Sequence, residues 1–207
     1  MGQLIACVAA GGVFIAADSR TVAFAPDGEE QHLTLDRLVP LGSHVVLASA
    51  GALEAHDRCR DFADFAKSEE LTDPDALVEA AIPYFTGRYD EILRKMCEKL
   101  PLDPVINMYL VAAEDSLKGA AHPGRLFVIW DRPQPPKIEY NRATPVFPLP
   151  RRMGLEFRLH QLLKQQAPLS QVVETAKVGM EKLAGQDEYL GPPYRFLAVT
   201  AAGIKEV

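Results

Sequence analysis

Basic charge is scarce in this sequence. Lys and Arg number 22 against 28 Asp and Glu, for a formal net charge of −6. No basic face is offered to phosphates, which excludes nucleic acid as the main partner. Cysteine is scarce as well: Cys7, Cys59 and Cys97 are odd in number and far apart. That spacing excludes a disulfide framework, and no CxxC or HxxxH stands ready for zinc. The five histidines, His32, His44, His56, His122 and His160, are scattered. No metal and no cofactor is expected. No apolar run reaches the roughly 20 residues a bilayer demands. The early stretch "LIACVAAGGVFIAA" has no Lys or Arg before it, and only Met1 to Ala6 precede Cys7. That is too short for a signal peptide, and Ala6 stands where a myristoylation pattern needs Ser or Thr. A cytoplasmic protein without a membrane partner is the expectation.

What is present suits a packed core. Of 207 residues, 48% are hydrophobic and 24% charged, and one domain spanning 1–207 is expected. "QLIACVA" and "VFIAAD" read as strands joined at Gly11-Gly12, a pair suited to a tight hairpin. "DGEEQ" reads as a turn. "LTLDRLVPL" and "HVVLASA" read as a second hairpin around Gly42-Ser43. Ala55, Cys59, Phe62 and Ala66 recur at helical spacing. A second helix opens at "TDPDALVEA", with Asp73 as N-cap and Pro74 in the first turn. Pro83 should bend it, and it should stop near "LPLDP". Strands return with "INMYLVAAE", "RLFVIW" and "KIEYN", the last two connected through "RPQPP". "TPVFPLP" is extended. Two more helices carry Leu155, Leu159, Leu162 and Leu163, then Val172, Val173, Ala176, Met180 and Leu183. Gly185 closes the second of these. "RFLAVT" and "IKEV" end the chain, joined at Ala202-Gly203. No βαβ alternation is present. Hairpin-linked strands with paired helices predict an α+β fold of two antiparallel sheets face to face, with helices outside.

Three stretches carry a resemblance. "GVFIAADSR", "DRLVPLGSHVVLASAG" and "RFLAVTAAGIKEV", in this order of elements, resemble the proteasome family. The likeness is to its β-type subunits and simpler bacterial relatives, within the N-terminal-nucleophile hydrolases. The resemblance implies a four-layer α-β-β-α sandwich assembled into rings. It implies partners too: further copies or related subunits, an ATPase, and peptide substrates. In active members the first residue of the mature chain is a threonine. Its hydroxyl attacks the substrate carbonyl and its own amine takes the proton. The resemblance places the family's catalytic positions at Gly2, Asp18, Arg37, Gly51 and Asp187. Gly2 falls at the nucleophile, Asp18 at the aspartate and Arg37 at the lysine. Gly51 falls at the oxyanion donor. "DEYLG" keeps Asp187 and Gly191 but has Leu190 in place of a serine. "PLPRRMG" stands where active members have a glycine-serine turn.

These departures imply a chain without peptidase activity. Glycine has no nucleophile, and arginine is a planar fork that keeps its proton where lysine can lose one. Asp18 and Arg37 are expected as a retained structural pair, with a turn capped by Asp18 as the alternative. A rearranged hydrolase using Cys7, Ser19 or Ser49 is a second reading, although no histidine lies beside either serine in sequence. A third is an anion site at Arg151 and Arg152, near a helix N-terminus.

Overall fold

Four layers of secondary structure stack in the computed structural model, which describes residues 2–24, 28–51, 53–97, 108–114, 124–133 and 136–207. The first sheet holds β1 (Leu4–Ala9), β2 (Gly12–Asp18), β10 (Val146–Leu149), β11 (Tyr194–Thr200) and β12 (Gly203–Glu206), in the order β10-β1-β2-β11-β12. The second holds β5 (Leu38–Leu41), β6 (Val45–Ala50), β7 (Met108–Glu114), β8 (Gly124–Pro133) and β9 (Pro136–Arg142), in sequential order. Every pairing in both is antiparallel. Helices α1 (Leu53–Ser68) and α2 (Pro74–Cys97) cover the second sheet. Helices α3 (Met153–Lys164) and α4 (Leu169–Ala184) cover the first.

The strands read as apolar runs because each face of each sheet is covered. Along β2, Val13, Ile15 and Ala17 point between the sheets, while Phe14 and Ala16 meet α3 and α4. Along β6, Val46, Ala48 and Ala50 point between the sheets and Val45 and Leu47 meet α1 and α2. A strand buried on both faces has no polar side to show, so alternation disappears. The α+β sandwich expected from the sequence is the fold found.

Two local readings are corrected. "LTLDRLVPL" is not one strand. Its first two residues end β4 (Glu30–Thr34), which pairs with β3 (Arg20–Phe24) in a separate two-stranded ribbon. The break at 35–37 has causes: Leu35 donates its N–H to the Ser19 carbonyl, Asp36 accepts from Leu38 N–H at 3.2 Å, and Arg37 turns inward. Gly185 does close α4, but at φ −72°, so the left-handed freedom of glycine is not what it supplies. The "LPLDP" stop, the middle of "RPQPP", Asp27 of "DGEEQ" and His122 lie outside the described residues. The α2 helix runs through Pro83 without ending there.

Asp73 caps α2 as its position predicts, its Oδ1 accepting from Asp75 N–H at 3.0 Å and Ala76 N–H at 3.2 Å. Replacing it leaves first-turn donors without that acceptor. Asp73→Ala is expected to cost about 1 kcal/mol in urea unfolding, whereas an effect near zero would show that water serves the helix end equally well.

Candidate functional site

The end of β2 delivers Asp18 into the interior, where it has no exposure at all. A carboxylate there needs partners, and the backbone supplies two. Gln3 N–H donates to Asp18 Oδ1 at 2.7 Å, and Gly191 N–H donates to Oδ2 at 3.4 Å. Asp18 N–H returns a bond to the Gln3 carbonyl at 3.1 Å. Arg37 is the third neighbour, with Nε 3.9 Å from Asp18 Oδ1. That Nε is buried and makes no hydrogen bond, while Nη2 donates to the Arg20 carbonyl at 3.2 Å.

Magnitudes decide which contact dominates. At 3.9 Å two unit charges attract by on the order of 4 kcal/mol at an effective dielectric near 20. Desolvation costs several kcal/mol for each ion, so the ion pair alone does not repay burial. Two N–H donors to a charged oxygen, at about 1.5–3 kcal/mol each, make up much of the difference. The Asp18 carboxyl is still held above its ordinary value of 3.8, because burial outweighs the Gln3 bond, the Arg37 charge and the Gly191 bond. Burial likewise pushes the Arg37 guanidinium down, against the pull of Asp18. The backbone donors to Asp18 lie 15 and 173 residues away, so the turn-cap reading of Asp18 is not what the structure shows. Asp18 faces Arg37, and it is fastened chiefly by backbone.

Gly2 lies directly against this pair. A Cβ added there would fall within contact distance of Asp18 Oδ1 and 2.8 Å from Arg37 Cζ and Nε. Arg37 and Asp18 close the space a side chain would use.

Asp187 joins from the last loop through a relay that sequence reasoning missed. Arg152 Nη2 donates to Asp187 Oδ2 at 2.9 Å, and Arg152 Nε donates to Gln3 Oε1 at 3.1 Å. Gln3, buried and uncharged, thus links Asp18 to Asp187; only its place next to Gly2 could have signalled it. Arg20 adds a clamp, donating to the Glu188 carbonyl at 3.0 Å with its guanidinium packed on Gly191. Leu190, where the resemblance expects serine, is buried and apolar. Gly51 follows β6 at φ +124°, a backbone angle that favours glycine.

The alternative nucleophiles fare poorly. Cys7 sits mid-strand without exposure, and burial pushes its thiol up to about 12, where no thiolate forms at ordinary pH. Ser19 is buried, with its N–H on the Pro193 carbonyl. Ser49 does have a histidine, contrary to the sequence expectation. Its Oγ lies 3.4 Å from His56 Nδ1, seven residues away and one helical turn into α1. Burial holds His56 below its ordinary value, yet both residues are shut from solvent, at 1% and 3% exposure. The arginines proposed for an anion are engaged. Arg151 forks onto Glu156 at 2.9 and 3.1 Å, and Arg152 holds Asp187 and Gln3. Neither guanidinium is free to take an anion without giving up a partner.

Comparison with known proteins corrects the resemblance. No family model matches this chain, and no curated protein does. The three motifs therefore do not establish membership of the proteasome family. The likeness that stands is one of fold. Anbu (ancestral beta-subunit) from Yersinia bercovieri superposes with a TM-score of 0.66 at 19% identity, covering 99% of this chain and 86% of that one. The Anbu complex from Pseudomonas aeruginosa, described as a helical assembly, gives 0.70 at 19% identity over the same shares. The fold is thus the one these Anbu structures share. Among the described residues, no helix is long and apolar enough to cross a membrane.

Two outcomes follow from the geometry. Asp18→Ala should cost about 3–5 kcal/mol in urea unfolding, since it orphans two buried N–H donors and a buried cation. Arg37→Met should cost less, because the donors keep their acceptor; equal losses would mean that the ion pair governs. The pH dependence has a definite sign. A carboxyl raised on folding stabilises when protonated, so that contribution is full below pH 3.8 and is lost as pH rises through the higher folded value. Across that window the stability of wild type should fall relative to Asp18→Asn, and a rise would reverse the assignment.

Proposed function

We propose that this chain is a self-assembling structural subunit without peptidase activity. The observation that carries the reading is the closed space at Gly2. The position the resemblance gives to the nucleophile has no side chain, and Asp18 and Arg37 occupy the volume one would need. Around it the groups do mechanical work. Asp18 ties the first strand to the last loop, Arg152 ties that loop to α3, and Arg20 holds it down. Gly2, Asp18, Arg37, Gly51 and Asp187 are on this reading relics of a catalytic arrangement, kept for folding. The buried Ser49–His56 pair and the Cys7 thiol support no rearranged hydrolase, since neither reaches solvent.

Assembly is the second part of the proposal. The Pseudomonas aeruginosa neighbour is described as a helical assembly, and a fold shared over 99% of this chain supports self-association here. The partner proposed is a second copy of the chain; a closed ring and an open helix are the two forms it can take.

The test joins two measurements on purified protein. Fluorogenic peptides and an electrophilic hydroxyl- or thiol-directed probe should give no turnover and no adduct, and native mass with electron microscopy should show assemblies larger than one chain. Turnover or a labelled residue would overturn the first part, and a strictly monomeric protein the second. Gly2→Thr should remain inactive and melt lower, by about 1–3 kcal/mol of overpacking. Peptide turnover in that single variant would show that the space can reopen.

A further inference from the structure

The opposite end of β2 has a cavity of its own. It holds about 520 Å³, within the range of small-molecule sites of roughly 300–1,000 Å³. Asp18 closes one end of the strand, while this cavity opens beside the β1–β2 turn at the other. The strand is seven residues long, about 20 Å at a strand's rise. The two sites therefore share no residue.

Its walls are apolar. Val8 and Ala9 from β1, Leu126 from β8, Ala143 and Pro145 before β10, and Leu163 from α3 line it. Its described polar side chains, Arg125, Arg142 and Gln166, each carry donors. Arg125 is held by Asp75, Nη1 to Oδ2 at 2.6 Å, and lies over the Phe127 ring. Arg142 is exposed, and among the described residues no carboxylate pairs with it. Gln166 completes the rim in an uncommon state. It ends α3 at φ +52°, where glycine is usual, with its N–H on the Leu163 carbonyl at 2.9 Å and Ala167 N–H on that of Leu162 at 3.0 Å. Glycine would take that geometry without strain, but it would bring no amide to the rim.

From this arrangement we infer that the cavity binds an apolar chain ending in a carboxylate. The chain lies along Val8, Leu126, Ala143 and Leu163 and leaves water, as apolar surface does. The carboxylate meets the planar Arg142 fork, which matches it in two parallel hydrogen bonds, and the Gln166 amide adds a neutral donor. Among the described residues no carboxylate side chain lines the cavity to repel the head group; Asp75 is occupied by Arg125. Neutral chains of the same length gain only the walls, and short acids gain only the head.

Calorimetric titration of the purified full chain with decanoate, decanol and acetate tests this. Decanoate is expected to bind at least tenfold more tightly than decanol, and acetate not measurably. Arg142→Gln, a surface change that leaves the fold intact, should weaken decanoate about tenfold and leave decanol unchanged, a difference near 1.4 kcal/mol. Leu163→Trp should abolish binding of both by filling the cavity, with melting followed to confirm folding. Absent decanoate binding, equal binding of decanol, or an Arg142→Gln affinity matching wild type would each overturn the assignment. None of these outcomes depends on whether the protein assembles.

Discussion

A carboxylate without access to water must be satisfied by its surroundings, and Asp18 is satisfied mainly by backbone. Gln3 N–H and Gly191 N–H come from the residue just before β1 and from the loop before β11, 173 residues from Asp18 in the second case. One side chain thus fastens the start of the chain to its end. The closure sits at the end of β2, which lies between β1 and β11. Arg37 contributes charge balance at 3.9 Å, and its Nε remains without a hydrogen bond. The cluster is therefore asymmetric: the acid is anchored, and the base is accommodated.

That asymmetry bears on chemistry. A reactive centre needs a nucleophile, a base within reach of it and an approach for substrate. Here a glycine faces the acid, an arginine fills the remaining space, and the nearest serine–histidine pair is closed to solvent. Gly2, Asp18 and Arg37, singled out in the sequence, are thus brought together, and on the proposed reading their arrangement serves structure.

The layered fold was legible because covered strands write themselves as apolar runs. "VFIAAD" and "HVVLASA" read as strands beside their glycine turns, their burial on both faces emerging only in the structure, and Asp73 before Pro74 marked a helix start. The break at 35–37 was illegible. It follows from Arg37 turning toward Asp18, a long-range contact that no local pattern encodes. For the site, Asp18, Arg37 and Gly2 were reachable through motif spacing. Gln3 and Arg152 were not, since one is a neutral polar residue ahead of an apolar strand and the other looked like a surface charge. His56 was missed because its partner Ser49 lies in another element, so nearness in space had no counterpart in sequence. Motif likeness also misled, in that short stretches suggested a family that whole-chain comparison does not support.

The account's central claim is that Asp18 clasps the two ends of the molecule together. Native-state hydrogen exchange resolved at the Gln3 and Gly191 amides tests it most directly. If the clasp is structural, both amides exchange only with global unfolding, as slowly as the amides in the middle of β2. Exchange of either at the rate of a fraying terminus, while β2 stays protected, would contradict the account.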